Sequence, residues 1–94
     1  MEAATPEEQA AIERAAAERI LRRAAQALWS EYHATREQLY LAVQESLAVD
    51  GEGHLHVPSF ERWRRRLGAC AGVSLVGSEN TLRVFEYLRR RFGA

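Results

Sequence analysis

The residues of this chain best suited to chemistry are the arginines of its C-terminal part. Residues 54–94 carry eight arginines and three acidic residues, a net charge of +5. Residues 1–53 carry five arginines and ten acidic residues, a net charge of −5. A guanidinium group offers a planar fork of N–H donors that matches phosphate and carboxylate oxygens. The basic part therefore predicts contact with nucleic-acid phosphates or with an acidic protein surface.

Apolar spacing places these arginines on two amphipathic helices, each preceded by a serine suited to capping, Ser59 and Ser78. The apolar residues expected to face the core are Phe60, Trp63 and Leu67 on the first helix, and Leu82, Phe85, Leu88 and Phe92 on the second. The arginines left on the outer faces are the candidate binding residues: Arg62, Arg65, Arg66, Arg83, Arg89, Arg90 and Arg91.

Two functions from different classes fit this arrangement. The leading one is a non-enzymatic, DNA-associated accessory or regulatory protein that presents the arginine helices to the phosphate backbone of duplex DNA. The alternative is a small adaptor or inhibitor, of the phage or plasmid type, whose basic face binds an acidic protein. Against both stands a structural interpretation, in which the arginines are solvated or pair with the acidic N-terminal part, within one chain or across a dimer. The formal net charge of zero favours that interpretation.

Residues 63–74 (WRRRLGACAGVS) resemble the first helix and turn of helix-turn-helix proteins, in which Gly-Val-Ser often marks the turn. The resemblance covers about a third of the chain and implies that Thr81, Leu82 and Arg83 lie on a recognition helix. Six residues, 75–80, separate Ser74 from Thr81. The usual connection has only 3–4 residues, so the chain departs from the motif at this point.

A second resemblance concerns residues 50–55 (DGEGHL), which are similar to the middle of an EF-hand calcium loop with Gly53 at its sharp turn. Ala48 stands where that loop has its first acidic ligand, and Ser59 where it has its bidentate glutamate. The acidic and histidine side chains that alternate here could suit a transition metal in an extended strand, but the glycines oppose regular extension. We expect no metal site and no cofactor.

Catalysis has little support. Cys70 has three histidines as conceivable bases, yet no local signature joins it to any of them, and a cysteine among alanines is typical of a small buried residue. The segment Gly68-x-x-x-Gly72 lacks the Lys-Ser/Thr ending of a phosphate-binding loop. We therefore expect that the protein is not an enzyme.

The N-terminal part consists largely of helix-forming residues from a cap at Thr5 to Val49, followed by glycines of which Gly51 is suited to the helix end. A second capping box at Thr35 and Gln38 marks a break near residues 30–36 as an alternative to one continuous helix. Apolar residues recur at alternating four- and three-residue spacing from Leu21 onward, in a stripe wide enough to favour a globular core face over a coiled-coil seam. We nevertheless expect a homodimer, or a subunit of a larger assembly, with an interface that includes Leu21, Leu28, Tyr32 and Leu39.

These elements predict one small, mainly α-helical domain over residues 1–94. Residues 1–49 form the long helical segment, residues 50–59 a loop or short strand, and residues 59–94 the basic helical half. Leu55 and Val57 could pair with Leu75 and Val76 as a minimal β-ribbon. The single cysteine, the polar N-terminus and the lack of a long apolar run predict a cytoplasmic protein that does not enter membranes.

Overall fold

The computed structural model describes residues 5–29, 34–71 and 79–93, except for the side chains of residues 70, 71 and 79. In this part of the chain four helices accompany one small antiparallel hairpin, which confirms the predicted mainly α-helical class. The elements are α1 (Pro6–Leu28), α2 (Arg36–Ser46), β1 (Ala48–Val49), β2 (Leu55–His56), α3 (Phe60–Ala71) and α4 (Glu79–Phe92).

The long N-terminal segment is two helices, and each begins at the cap that the sequence predicts. The Thr5 hydroxyl accepts a hydrogen bond from the Glu8 amide at 3.1 Å, and Pro6 takes the first helical position. At the start of α2, the Thr35 hydroxyl accepts from the Gln38 amide at 3.1 Å, while Gln38 Oε1 accepts from the Thr35 amide at 2.8 Å. This capping box fixes the beginning of α2, so of the two alternatives left open by the sequence the chain adopts the broken helix.

The apolar stripe of the N-terminal segment forms the core of the single chain, because α2 folds back on α1 and α3 packs on α2. Trp63, Leu67 and Leu88 complete this core from α3 and α4. Leu21, Leu28 and Leu39 are 3%, 0% and 0% exposed. In this fold these three side chains are therefore not presented to a second copy, which corrects their assignment to an oligomer interface. Tyr32, the fourth residue of that interface, lies outside the described residues.

The hairpin differs from the predicted ribbon. Helix α2 ends at Ser46 rather than Val49, and Ala48 and Val49 form β1, whose partners are His56 and Leu55. Short-range pairing is favoured because closing a loop of a few residues costs less entropy than closing one of about twenty. Gly53 takes the left-handed conformation with φ of +85°. Gly51 does not, so it is not the helix cap that the sequence suggested. The predicted partners Leu75 and Val76 lie outside the described residues.

Helix α4 runs antiparallel to α1, with its first turn beside Ala27 and its last turn beside Ala10 and Ala17. The Val57 amide donates to the Gly93 carbonyl at 2.8 Å, which joins the end of α4 to the hairpin. The buried face of α4 consists of Thr81, Val84, Phe85 and Leu88. Leu82 was expected on that face, but it is 45% exposed. None of the described helices combines the length and apolar character needed to cross a bilayer.

Candidate phosphate-binding surface

Helix α3 holds its arginines on a rigid base. The Ser59 hydroxyl accepts a hydrogen bond from the Arg62 amide at 3.4 Å, as the predicted cap requires. Trp63 is fully buried, and its ring centroid lies 5.5 Å from that of Phe85 on α4. The Phe60 ring lies 5.0 Å from Phe85 in an edge-on arrangement. Because these rings fix the inner face of α3, the arginines of its outer face project from a defined position.

The three outer arginines of α3 are not equivalent. Arg62 and Arg65 are exposed, and neither forms a hydrogen bond, ion pair or ring contact through its side chain with a described residue. Arg66 Nη2 donates to the Glu45 carbonyl at 3.0 Å. That carbonyl belongs to the last turn of α2, where main-chain acceptors lack helical partners and the helix dipole favours a cation. Arg66 therefore fastens α3 to α2, whereas Arg62 and Arg65 are available for other contacts.

Helix α4 presents four predicted arginines to solvent. Arg83 and Arg90 are seven residues apart, so they lie on one side of the helix, almost two turns from each other. Arg89 lies on another side, and the Arg91 guanidinium lies over the Tyr87 ring, 5.4 Å from its centroid. Arg89, Arg90 and Arg91 also occupy the last turn, where positive charge stabilises the C-terminal end of the helix dipole.

Among the described residues, no ion pair joins an arginine of residues 54–94 to a carboxylate of residues 1–53. None of the seven predicted arginines lies within 4.0 Å of a carboxylate oxygen of residues 5–29, 34–69 and 80–93, whose side chains the structure describes. Arg22 shows the contrasting case, with Nε 2.9 Å from Glu18 and Nη1 3.3 Å from Glu37. The hydrogen bonds that Arg22 donates to Glu18 and Glu37 raise the pKa of Arg22. In this part of the chain, direct pairing within one molecule therefore does not account for the basic surface.

Two further arginines belong to the basic surface and were not among the predicted site residues. Arg64 is exposed, and its guanidinium lies 5.8 Å from the centroid of the Phe60 ring. Arg23 of α1 lies with Arg83 beside a groove between α1 and α4. Its position two residues after the buried Leu21 is the signal that could have placed Arg23 on an outer side of α1.

The structure bears on the helix-turn-helix resemblance at two points. Helices α3 and α4 are separated by residues 72–78, seven residues in place of 3–4. Thr81 is fully buried and faces the core, so it is not placed to contact a base, although Leu82 and Arg83 are exposed. The Gly-Val-Ser sequence itself, residues 72–74, lies outside the described residues.

The Asp50 carboxylate stabilises the turn of the hairpin. Asp50 Oδ1 accepts hydrogen bonds from the amides of Glu52 and His54, both at 2.9 Å. These two bonds hold the pKa of Asp50 below its ordinary value of 3.8, and the bond from the His54 amide has the larger effect. His54 Nδ1 lies 3.8 Å from Asp50 Oδ2 and 3.6 Å from Glu52 Oε2. Among the described residues no three His, Cys, Asp or Glu side chains are grouped to hold a metal ion.

The positions at which the EF-hand resemblance fails have structural roles instead. Ala48 is paired in β1, and Ser59 caps α3. The side chain of Cys70 lies outside the described part, so the structure leaves its role untested. No protein family, curated protein or solved structure matched this chain, and any functional assignment therefore depends on the arrangement of its own residues.

Proposed function

We propose that this chain is a non-enzymatic, cytoplasmic accessory or regulatory protein that binds duplex DNA through the phosphate backbone. One observation carries the proposal: five exposed arginines of α3 and α4 have no carboxylate or aromatic partner among the described residues. They are Arg62, Arg65, Arg83, Arg89 and Arg90. Unpaired guanidinium groups on a rigid helical base are suited to contact phosphates, which supply most of the affinity in sequence-independent binding.

The proposed binding does not require base recognition. The exposed side chains of α3 and α4 that could enter a groove are mainly arginines, and Thr81 is directed inward. Phosphate contacts position a protein on DNA without reading sequence. We therefore expect similar affinity for duplexes of different sequence, and a strong dependence of that affinity on salt.

A salt titration with matched variants tests the proposal. Binding of a short duplex is measured by fluorescence anisotropy for the native chain, for Arg62→Ala/Arg65→Ala, and for the control Arg14→Ala/Arg36→Ala. Both variants remove two exposed arginines, but the control removes them from α1 and α2, outside the surface formed by α3 and α4. The slope of log K against log salt should become less steep by about 1.8 in the first variant and remain unchanged in the control.

Two results would contradict the proposal. One is the absence of duplex binding at about 50 mM salt by a chain that circular dichroism shows to be folded, since counterion release favours binding most strongly at low salt. The other is an equal loss of affinity in the two variants. That result would mean that total charge, rather than the surface formed by α3 and α4, controls the interaction.

The alternative function, an adaptor for an acidic protein, is favoured by a separate observation. A groove of about 710 Å³ between α2, the hairpin and α3 is bordered by Leu41 and Val49, which are 48% and 61% exposed. Arg66 lies at the same groove. An acidic partner with an apolar residue would fit this surface. This function predicts no duplex binding at low salt, and capture of an acidic protein that Leu41→Asp abolishes.

A further inference from the structure

We infer that two copies of this chain associate through their α1 helices, with Ile12 of each copy docked in the groove between α1 and α4 of the other. The inference does not depend on DNA binding. The groove has a volume of about 320 Å³ and an apolar floor of Ala24, Ala27, Val84 and Tyr87. Arg23 and Arg83 lie beside this floor, one on each helix. The Asn80 amide, also at the groove, is already bonded to the Ala27 carbonyl. An occupant therefore needs an apolar side chain with acidic neighbours.

The first half of α1, residues 6–20, has this chemistry. It contains four glutamates and two arginines, and none of its residues is fully buried in the single chain. Ile12 is 56% exposed, with Glu8 one helical turn before it and Glu13 next to it. The charges of this segment and of the groove are opposite, which favours their association over contact between like surfaces.

The spacing of Ile12 and Arg23 along α1 allows the Ile12 side chains of both copies to dock at the same time. Ile12 and Arg23 are eleven residues apart, which is close to three full turns, so they lie on the same side of the helix about 16 Å from each other. Antiparallel pairing of two α1 helices about a two-fold axis near residue 17 brings Ile12 of each copy to Arg23 of the other. Glu8 then comes to the level of Ala27, beside the groove. Such an interface is self-complementary and closes on itself.

The same arrangement fits the residues between the two contacts. Ala15 and Ala16 lie in the middle of the outer side of α1, where their small side chains allow the helices to approach closely. Arg19 is exposed near the proposed axis, and its long stem can lie along the partner helix while the guanidinium stays in water. Because the contact involves mainly one helix from each copy, we expect a small interface and a dimer that dissociates on dilution.

Sedimentation velocity over a concentration range of about 1 to 300 µM tests the inference. We expect a monomer–dimer equilibrium in the native chain, and a dissociation constant at least about tenfold higher in Ile12→Asp. Leu41→Asp is the matched control, since it makes the same kind of change at a similarly exposed residue of α2, away from the groove. Both side chains are about half exposed, so both variants should fold, and circular dichroism checks this.

Charge reversal tests the contact between the two copies. Glu8→Arg should weaken the dimer by bringing like charges together, and Arg23→Glu in the same chain should restore it, because each copy then carries the reversed pair. A monomer at every concentration would overturn the inference, as would a dimer insensitive to Ile12→Asp. A dimer that Glu8→Arg weakens and Arg23→Glu fails to restore would show that the groove is not the site of contact.

Discussion

Asn80 and Ala27 are joined by a hydrogen bond from the Asn80 Nδ2 to the Ala27 main-chain carbonyl, at 2.8 Å. The Ala27 carbonyl lies in the last turn of α1, where a helix has no amide left to satisfy its acceptors. The first turn of α4 therefore supplies a cap for the end of α1. This bond crosses 53 residues of sequence and fixes the groove between the two helices.

Removal of this cap should lower stability. We expect Asn80→Ala to reduce the free energy of unfolding by about 1 kcal/mol, the usual value of one intramolecular hydrogen bond. Asn80→Asp should cost more, because a carboxylate of the same shape has no donor and faces a carbonyl oxygen. Urea denaturation of the three chains measures both effects. Equal stability of the native chain and the alanine variant would show that water replaces the side chain without loss.

Two adjacent arginines of α3 should differ in role, with Arg66 contributing to stability and Arg65 to DNA binding. Arg66→Ala should lower the free energy of unfolding by about 0.5 to 1 kcal/mol, since it removes the donor to the Glu45 carbonyl. Arg65→Ala should leave stability within about 0.5 kcal/mol of the native value and should weaken duplex binding. Thermal denaturation and anisotropy on the same preparations compare the two. A larger loss of stability in Arg65→Ala than in Arg66→Ala would contradict the assigned roles.

The two glycines of the hairpin turn provide a conformational test. Gly53→Ala should destabilise the protein by about 1 kcal/mol, because its φ of +85° lies in a region that a Cβ atom disfavours. Gly51→Ala should have a much smaller effect, since Gly51 has no positive φ. A Cβ at either position would meet nothing within 4 Å, so crowding does not explain a difference between the two variants. Urea midpoints that fall equally would refute the conformational explanation.

Acid should weaken the hairpin through Asp50. The amides of His54 and Glu52 lower the pKa of Asp50 in the folded chain, so the stabilising effect of the Asp50 carboxylate is complete above its ordinary value of 3.8. That effect is lost as the pH falls through the lower folded value. Asp50→Asn keeps an acceptor for both amides and does not titrate. The loss of stability between about pH 5 and pH 2 should therefore be smaller in this variant than in the native chain. An equal loss of stability in both chains, measured by urea denaturation, would show that Asp50 does not cause the destabilisation by acid.

Local features of the sequence predicted the parts of the fold that depend on a few neighbouring residues. Thr5 and Thr35 begin helices because a cap needs only side chains and amides three residues apart. The partner of β2 and the inner face of α4 depend on how distant elements pack. Val84 rather than Leu82 is buried because α1 covers one flank of α4, which helical spacing alone does not specify.

The same distinction applies to the candidate surface. Helical periodicity correctly placed Arg62 and Arg65 outside, since Trp63 and Leu67 define the inner face of α3. It did not reveal that Arg66 bonds to α2, which depends on the packing of two helices. Nor could it show whether the apolar stripe of Leu28 and Leu39 would be covered by the same chain or by a second copy. The fold answers this by covering both residues itself.

The antiparallel contact between α1 and α4 has a kinetic consequence. Helix α2, the hairpin and α3 follow one another in sequence, so their contacts close short loops, whereas α1 and α4 meet only after most of the chain is ordered. We expect the contact of α4 with α1 to form after the rate-limiting barrier to folding. Asn80→Ala should then accelerate unfolding in stopped-flow experiments and leave the folding rate nearly unchanged. The lifetime of the folded chain would thus be governed by its last helix, and the speed of its formation by its middle.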